Sequence, residues 1–344
     1  MKALMFAIST VCQLTAVLVG WSSCAAAEGS LEIATSYPRD TVSGEATAMF
    51  AGLVQAETNG QLMVRPTFDD RRRTDNILRG ESGVDAGALF AGDLLKVNAI
   101  FALSVLPFEV TSIEQAQRLS MLARPAYQQA FAAEKLVLLA VVPWPPTGLW
   151  SRQVIANPSD LNNLRMRTYD ASSRAVFRKV GAQADMLPIT DALARLGNGQ
   201  LDAVMSSGDG EAGRVFSQHL RNFEAIHYAY PLSFLVVRRR SFDGLSAPVQ
   251  DAVYRAAERT ESLAWQALSA RELRNYEQMR EQGVTLLDPI GPELSVVLRR
   301  AGQAHTARWL ATVSPKISAP LKEFREWVGT YRRMEGETDA ALER

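Results

Sequence analysis

Cysteine is almost missing from this chain. Two are present in 344 residues, and both, Cys12 and Cys24, fall in the apolar N-terminal segment. A chain trimmed of that segment has no disulfide, no thiolate nucleophile and no zinc–thiolate site, so its stability must come from its core. Histidine is scarce as well, at three residues. His219, His227 and His305 have no metal-ligand spacing to one another or to an acidic residue. Neither sign of charge is in excess, since Lys+Arg and Asp+Glu each number 37. That balance argues against nucleic acid or an anionic membrane as the main partner. Beyond the N-terminus there is no apolar run approaching the roughly 18 residues of a membrane span. A phosphate-binding P-loop, a dinucleotide-binding glycine pattern and a G-x-S-x-G nucleophile elbow are all missing. The sequence implies no cofactor, no metal and no enzyme.

What is present begins with a targeting segment. Lys2 precedes an almost wholly apolar stretch over residues 3–19, and Ala25-Ala26-Ala27 gives an A-x-A cleavage site before Glu28. The apolar stretch is followed by small residues, not a basic flank, which reads as an export signal over residues 1–27, cleaved after Ala27, with the periplasm as destination. A lipoprotein reading of Trp21-Ser22-Ser23-Cys24 is the weaker one, because Trp21 stands where a leucine-like residue is wanted. The composition, 47% hydrophobic and 22% charged, is that of a soluble globular protein.

The remaining length suffices for two compact domains. Alternation over residues 31–35 predicts a strand, and apolar spacing over 43–58 predicts a helix that Asn59-Gly60 ends. A second strand is expected over 61–68. Strand alternating with helix predicts an α/β protein with sheets covered on both faces. A faint internal repeat relates Arg79-Gly80-Glu81-Ser82-Gly83-Val84-Asp85-Ala86 to Leu196-Gly197-Asn198-Gly199-Gln200-Leu201-Asp202-Ala203. It fits two similar lobes whose strands run to a shared cleft, and equally the ordinary look of a helix–Gly–strand junction. Pro143-Trp144-Pro145-Pro146-Thr147-Gly148 is a natural crossing between lobes, because prolines bar helix there. Residues 249–282 contain no Gly or Pro and predict a helix roughly 50 Å long, longer than one lobe is wide. A short strand over 284–287, two more helical stretches and a polar tail follow.

Chemistry concentrates around Arg167. At the end of a short strand its planar guanidinium can enter a cleft and grip a carboxylate through two parallel hydrogen bonds. Arg165 lies on the same face by alternation, but cleft loops follow strand ends, which favours Arg167. Ser206 and Ser207 follow the next strand and can donate to a ligand or cap a helix. Tyr37, Phe90, Trp144, Trp150, Tyr169 and Tyr230 fall in loops expected at the cleft, where they can wall a pocket or simply pack in cores. Asp69-Asp70-Arg71-Arg72-Arg73 reads as a solvated turn.

These segments resemble the periplasmic solute-binding subunits of TRAP (tripartite ATP-independent periplasmic) transporters, the DctP-like family, over essentially the whole mature chain. Residues 50–60 are similar to that family's first helix with its T-x-G ending, and Leu106-Pro107-Phe108 to its L-P-F element. Residues 160–167 are similar to its D-L-x-G-L-x-[IM]-R signature, and 191–203 to the E-x-x-x-A-L-x-x-G-x-V-D-G run. The resemblance puts the carboxylate-binding arginine at Arg167. It departs at Asn163 and Ala203, where glycine is usual, and at Ser206, where many members carry an asparagine that also holds ligand. It implies a two-lobed periplasmic binding protein fold with discontinuous lobes, β-strand hinges and a long helix spanning both. The first lobe is expected over 28–149 plus about 238–270, the second over 150–237 plus about 271–330, with a polar tail at 331–344. It also implies a monomer that closes on a small or aromatic organic acid and delivers it to two integral membrane subunits for ion-driven uptake. The expected ligand-binding set is Arg167, Ser206, Ser207, Phe90, Trp150, Tyr37, Tyr169 and Tyr230. A sensory receptor for a signalling partner is the alternative. A serine hydrolase using Ser206 or Ser207 with His227 is the remote one.

Overall fold

The computed structural model describes residues 29–81 and 83–334. The export segment with Cys12 and Cys24, and most of the polar tail, lie outside the described residues. The chain opens with β1 (Gly29–Thr35), α1 (Val42–Glu57), β2 (Leu62–Thr67), α2 (Arg71–Arg79) and β3 (Ala86–Phe90). After two 3-10 segments, Ala91–Leu94 and Ala99–Val105, come α3 (Ile113–Ala133) and β4 (Leu136–Pro143). Next are β5 (Gly148–Ser151), β6 (Arg165–Thr168), α4 (Ala171–Lys179), β7 (Gln183–Met186), α5 (Ile189–Gly197), β8 (Ala203–Ser206), α6 (Glu211–His219) and β9 (Asn222–Glu224). The chain ends with β10 (Leu232–Arg238), α7 (Arg239–Asp243), α8 (Ala247–Glu281), β11 (Thr285–Leu287), α9 (Pro292–Thr312) and α10 (Pro315–Met334). Among the described residues, no helix is long and apolar enough to cross a membrane.

Two sheets divide these strands. The first has the order β2-β1-β3-β10-β4 and the second β11-β9-β5-β8-β6-β7. In the first, β1 is parallel to β2 and β3, while β10 runs antiparallel between β3 and β4. Period-2 alternation sends successive residues of β10 to two different cores. Phe234 and Val236 pack with α3 and α10 on one face. Leu235 and Val237 pack with α1 and α8 on the other. Because both faces are covered, β4 and β10 are buried throughout, and their sequences read as continuous apolar runs. Fully burying a side chain such as Phe234 contributes about 1.5–3 kcal/mol. The edge of β4 is closed by α8: Glu261 accepts the Val141 amide at 2.8 Å while pairing with Arg124 at 2.7 Å.

The second sheet is built the same way. Met166, Ala203 and Met205 face α4 and α9, whereas Trp150, Val204 and Phe223 face α5, α6 and the end of α8. The chain passes between sheets where β4 gives way to β5, through the proline-rich stretch. That crossing lies beside the return from β9 to β10, stitched by Trp144 N to Pro231 O at 2.8 Å and by Tyr228 N to Thr147 O at 2.9 Å. Helix α8 also joins the lobes. Val249, Val253 and Leu268 pack in the first, and Tyr276 and Met279 in the second.

Two segments fall on the other side of the expected division. Residues 232–237 are β10 and belong to the first sheet, so the crossing comes at Pro231 and not near residue 238. Helix α10 also returns to the first lobe, where Leu321 and Phe324 complete the core of α3. The reason is shape: α3 exposes an apolar ridge above the 3-10 segments that needs a helix to cover it.

Candidate functional site

Arg167 sits in β6 between two parallel neighbours, opposite Asp185 of β7 and Val204 of β8. The strand is short because Asn163, with φ 59°, turns the chain into it and Asp170 caps the helix that follows. The side chain is only 8% exposed. Its Nε donates to the Leu187 carbonyl at 2.9 Å and its Nη1 to the Met205 carbonyl at 2.8 Å. Those bonds fix the plane of the guanidinium, but neither acceptor carries a full charge. Among the described residues Arg167 forms no ion pair with any carboxylate. Burial lowers its pKa, against the opposing pull of Tyr37, Tyr169, Asp93 and Asp170. A buried cation without a counter-ion is costly to keep.

Rings from both lobes surround it. Tyr37 follows β1, Phe90 ends β3, Trp144 lies in the crossing and Tyr169 follows β6. Tyr37 and Trp144 centroids are 4.8 Å apart, and Phe90 meets Tyr37 at 6.0 Å and Tyr169 at 5.7 Å in edge-on contacts. The Trp144 indole donates to Ser233 Oγ at 2.9 Å, and Thr147 Oγ1 donates to the Tyr169 hydroxyl at 3.5 Å. Burial raises the Tyr37 and Tyr169 pKa values, so both phenols are neutral donors. Tyr37, Phe90 and Tyr169 thus pack together. Trp150 does not join them. It is wholly buried between Phe216 and Phe223, at 5.6 and 5.3 Å, in the core of the second lobe. Tyr230 packs in the first lobe's core beside the crossing, with Glu272 and Asp288 close enough to reinforce the rise that burial gives its pKa.

Ser206 ends β8 one residue past the carbonyl that holds Arg167. Its Oγ accepts the Gly208 amide at 3.1 Å. Gly208 has φ 70°, and a Cβ there would come within 2.5 Å of the Trp150 ring, so the turn needs glycine. Ser206 and Ser207 are both half-buried. His227 faces Asp288 at 3.8 Å, and among the described residues it makes no hydrogen bond to either serine. Arg165 pairs with Asp202 at 2.6 Å in solvent.

Two acids escape a sequence reading. Asp170 is fully buried, and a Cβ on Gly92 of the first lobe would lie 3.6 Å from its own Cβ. Burial pushes its pKa up to about 6, against the Ser173 hydrogen bonds and the Arg167 charge. The signal for it was the N-cap position before Ser173. Asp209, between two glycines, ties the lobes. It accepts Arg271 Nε at 2.5 Å, Asn275 Nδ2 at 3.1 Å, and the Val42 amide at the start of α1 at 2.8 Å. Beside it Arg214 reaches Asp40 at 2.6 Å.

Residues 33–307 match the model of a family described as bacterial extracellular solute-binding protein, family 7. A structure described as a Bordetella pertussis extracytoplasmic solute receptor binding pyroglutamic acid superposes with a TM-score of 0.81 at 23% identity, over 86% of this chain and 99% of that one. A TRAP periplasmic solute-binding protein from Roseobacter denitrificans with bound L-galactonate gives 0.74 at 18% identity, over 87% and 99%. The 2,3-diketo-L-gulonate-binding periplasmic protein of Escherichia coli is 24% identical over 138 residues, 40% of this chain and 42% of that protein. The match therefore spans less than half of that curated relative.

Proposed function

The chain belongs to bacterial extracellular solute-binding protein family 7, and from that footing we propose that it captures an organic acid anion between its two lobes in the periplasm. It then delivers the acid to the integral membrane subunits of a TRAP transporter for ion-gradient-driven uptake. Export by residues 1–27, with cleavage after Ala27, and action as a monomer belong to the same reading. So do a first lobe of 29–143, 232–270 and 315–331 and a second of 148–230 and 271–312. The single observation that carries it is Arg167, a buried guanidinium held in plane by two carbonyls and given no acidic partner among the described residues. Arg167 pairs with the ligand carboxylate, while Tyr37, Phe90, Trp144 and Tyr169 wall the ligand body, and Ser206 and Ser207 border it at the end of β8. Closure excludes water, which strengthens the charge-assisted bonds and makes a ligand without a carboxylate a poor fit. Two of the similar structures hold or bind acids, pyroglutamic acid and L-galactonate. The test is a thermal-shift screen of the exported protein against mono- and dicarboxylates. A true ligand at a hundredfold over its Kd adds ~2.7 kcal/mol of stability. No shift from any organic acid overturns the reading.

A further inference from the structure

Asp170 carries a feature that carboxylate capture alone does not use. Its Oδ1 is fully engaged, accepting the Ser173 amide at 2.7 Å and the Ser173 hydroxyl at 2.5 Å. Its Oδ2 is buried and has no hydrogen-bond partner of ordinary geometry among the described residues; the Ser172 amide contributes only the weakest of the backbone and side-chain hydrogen bonds that hold the carboxyl pKa down. An acceptor oxygen without a donor in a buried site is costly. Its surroundings are those of the site. Asp170 is three residues past Arg167, it faces Gly92 at the start of the 3-10 segment that follows Phe90, and its charge is felt by Arg167, Tyr169 and Tyr228.

We propose that Asp170 Oδ2 is a specificity determinant that accepts a hydrogen bond from the ligand, so that the protein selects carboxylates carrying an N–H or O–H donor over acids of the same shape without one. This rests on the reading of Arg167 as the carboxylate anchor and adds a second polar point to it. The donor is a hydroxyl, a lactam N–H or an ammonium group. A cationic donor would also balance the charge that a carboxylate leaves when it neutralises Arg167 beside an ionised Asp170.

The capping bonds make the site testable by a small change. Asp170→Asn keeps an oxygen where the Ser173 amide needs an acceptor, so the cap survives. The amide nitrogen then stands where Oδ2 was, and an acceptor becomes a donor. The experiment is titration calorimetry on wild type, Asp170→Asn and Arg167→Lys. The probes are two matched sets: lactate, alanine and propionate, and pyroglutamate, proline and 3-oxocyclopentanecarboxylate. A thermal-shift panel of mono- and dicarboxylates extends both sets. In wild type the best donor-bearing acid should bind about 10- to 100-fold tighter than its donorless counterpart. Asp170→Asn should erase that preference without weakening donorless acids, and Arg167→Lys should weaken every acid. The hydroxyl, lactam and ammonium arms show which donor is meant. A donorless acid that binds wild type as tightly as the best donor-bearing one overturns the role of Asp170 and leaves that of Arg167 standing. Loss of donor-bearing and donorless acids alike in Asp170→Asn, with the unliganded melting temperature unchanged, overturns it too. Failure of every carboxylate to bind wild type overturns the Arg167 reading and this inference together. The wild-type arms decide the question even if the variant fails to fold.

Discussion

Two arginines lie at the seam between the lobes, Arg167 buried and Arg271 largely so, and they are treated oppositely. Arg271 is saturated. Asp209 holds its Nε and Nη2, Glu45 its Nη1, and the Asp40 carbonyl accepts from Nη2 as well. Burial works to lower its pKa, but the bonds and charges of Asp209 and Glu45 outweigh it, and the pKa rises. Arg167 has two carbonyls and no acid, burial wins, and the pKa falls. The same side chain is tied to two acids in one place and held only by two carbonyls in the other. What separates them is the carboxylate supplied by the protein: a group that binds ligand must be left short of partners, and a group that fastens lobes must not.

The largest effect should come from breaking the fastener. Asp209→Ala takes two hydrogen bonds from Arg271 and removes the acceptor for the Asn275 amide group and the Val42 amide, so unfolding stability in urea should drop by about 3–5 kcal/mol. Small-angle scattering should also show a larger radius of gyration, because the bonds lost join α1, α8 and the loop after β8. An unchanged midpoint and radius would mean that the Asp209 contacts are dispensable. Arg167 should answer in the other measurement. Arg167→Lys loses the bidentate fork and should weaken a cognate acid by about 2–4 kcal/mol. The unliganded protein should keep its unfolding midpoint within about 1 kcal/mol, because no protein carboxylate is left unpaired. Calorimetry showing no loss of affinity would remove Arg167 from the site.

The sequence announced one arginine and hid the other for a physical reason. Arg167 stands near the end of a strand inside a recognisable signature, so local pattern is enough to single it out. The role of Asp209 exists only through Val42, 167 residues away, and Arg271, 62 residues away. No spacing rule links them. Trp150 was misplaced because an aromatic residue after a crossing looks the same whether it faces cleft or core. One step of strand alternation decides, and here it puts the ring between Phe216 and Phe223. Helix α8 was legible almost to its ends, since an uninterrupted helical stretch depends on no partner. Helix α10 was legible as a helix but not as part of the first lobe, because the ridge it covers belongs to α3.

Acids obey the same contrast. Glu224 is buried in the second lobe with Ser151 Oγ at 3.0 Å and the Ile155 amide at 2.9 Å as donors, and it has no cation among the described residues. Burial pushes its pKa up to about 7 from an ordinary 4.5, against those hydrogen bonds. The folded chain therefore holds this proton over a range where the unfolded chain has released it. The stabilising contribution is full below the ordinary pKa, falls as pH rises towards the folded value, and is flat beyond it. Glu224→Gln should remove that slope and gain on the order of 1–3 kcal/mol relative to wild type between pH 5 and pH 8. Parallel pH–stability curves for the two proteins would show that Glu224 is already neutralised by other means.

The smallest effect belongs to Arg165, two residues before Arg167 on the same strand. It carries a two-pronged ion pair, with Nη2 at 2.6 Å and Nε at 2.8 Å from Asp202. Yet its side chain is 47% exposed. Water screens such a pair, and solvation replaces most of what the partner gives, so exposed pairs contribute little. Arg165→Ala should accordingly leave the unfolding midpoint almost where it was and leave acid binding unchanged. If Arg165→Ala weakened a cognate acid as much as Arg167→Lys does, burial and the lack of an acidic partner would not be what marks a binding arginine here. The distinction would then have to rest on position along the strand, which at a separation of two residues does not tell the arginines apart by face.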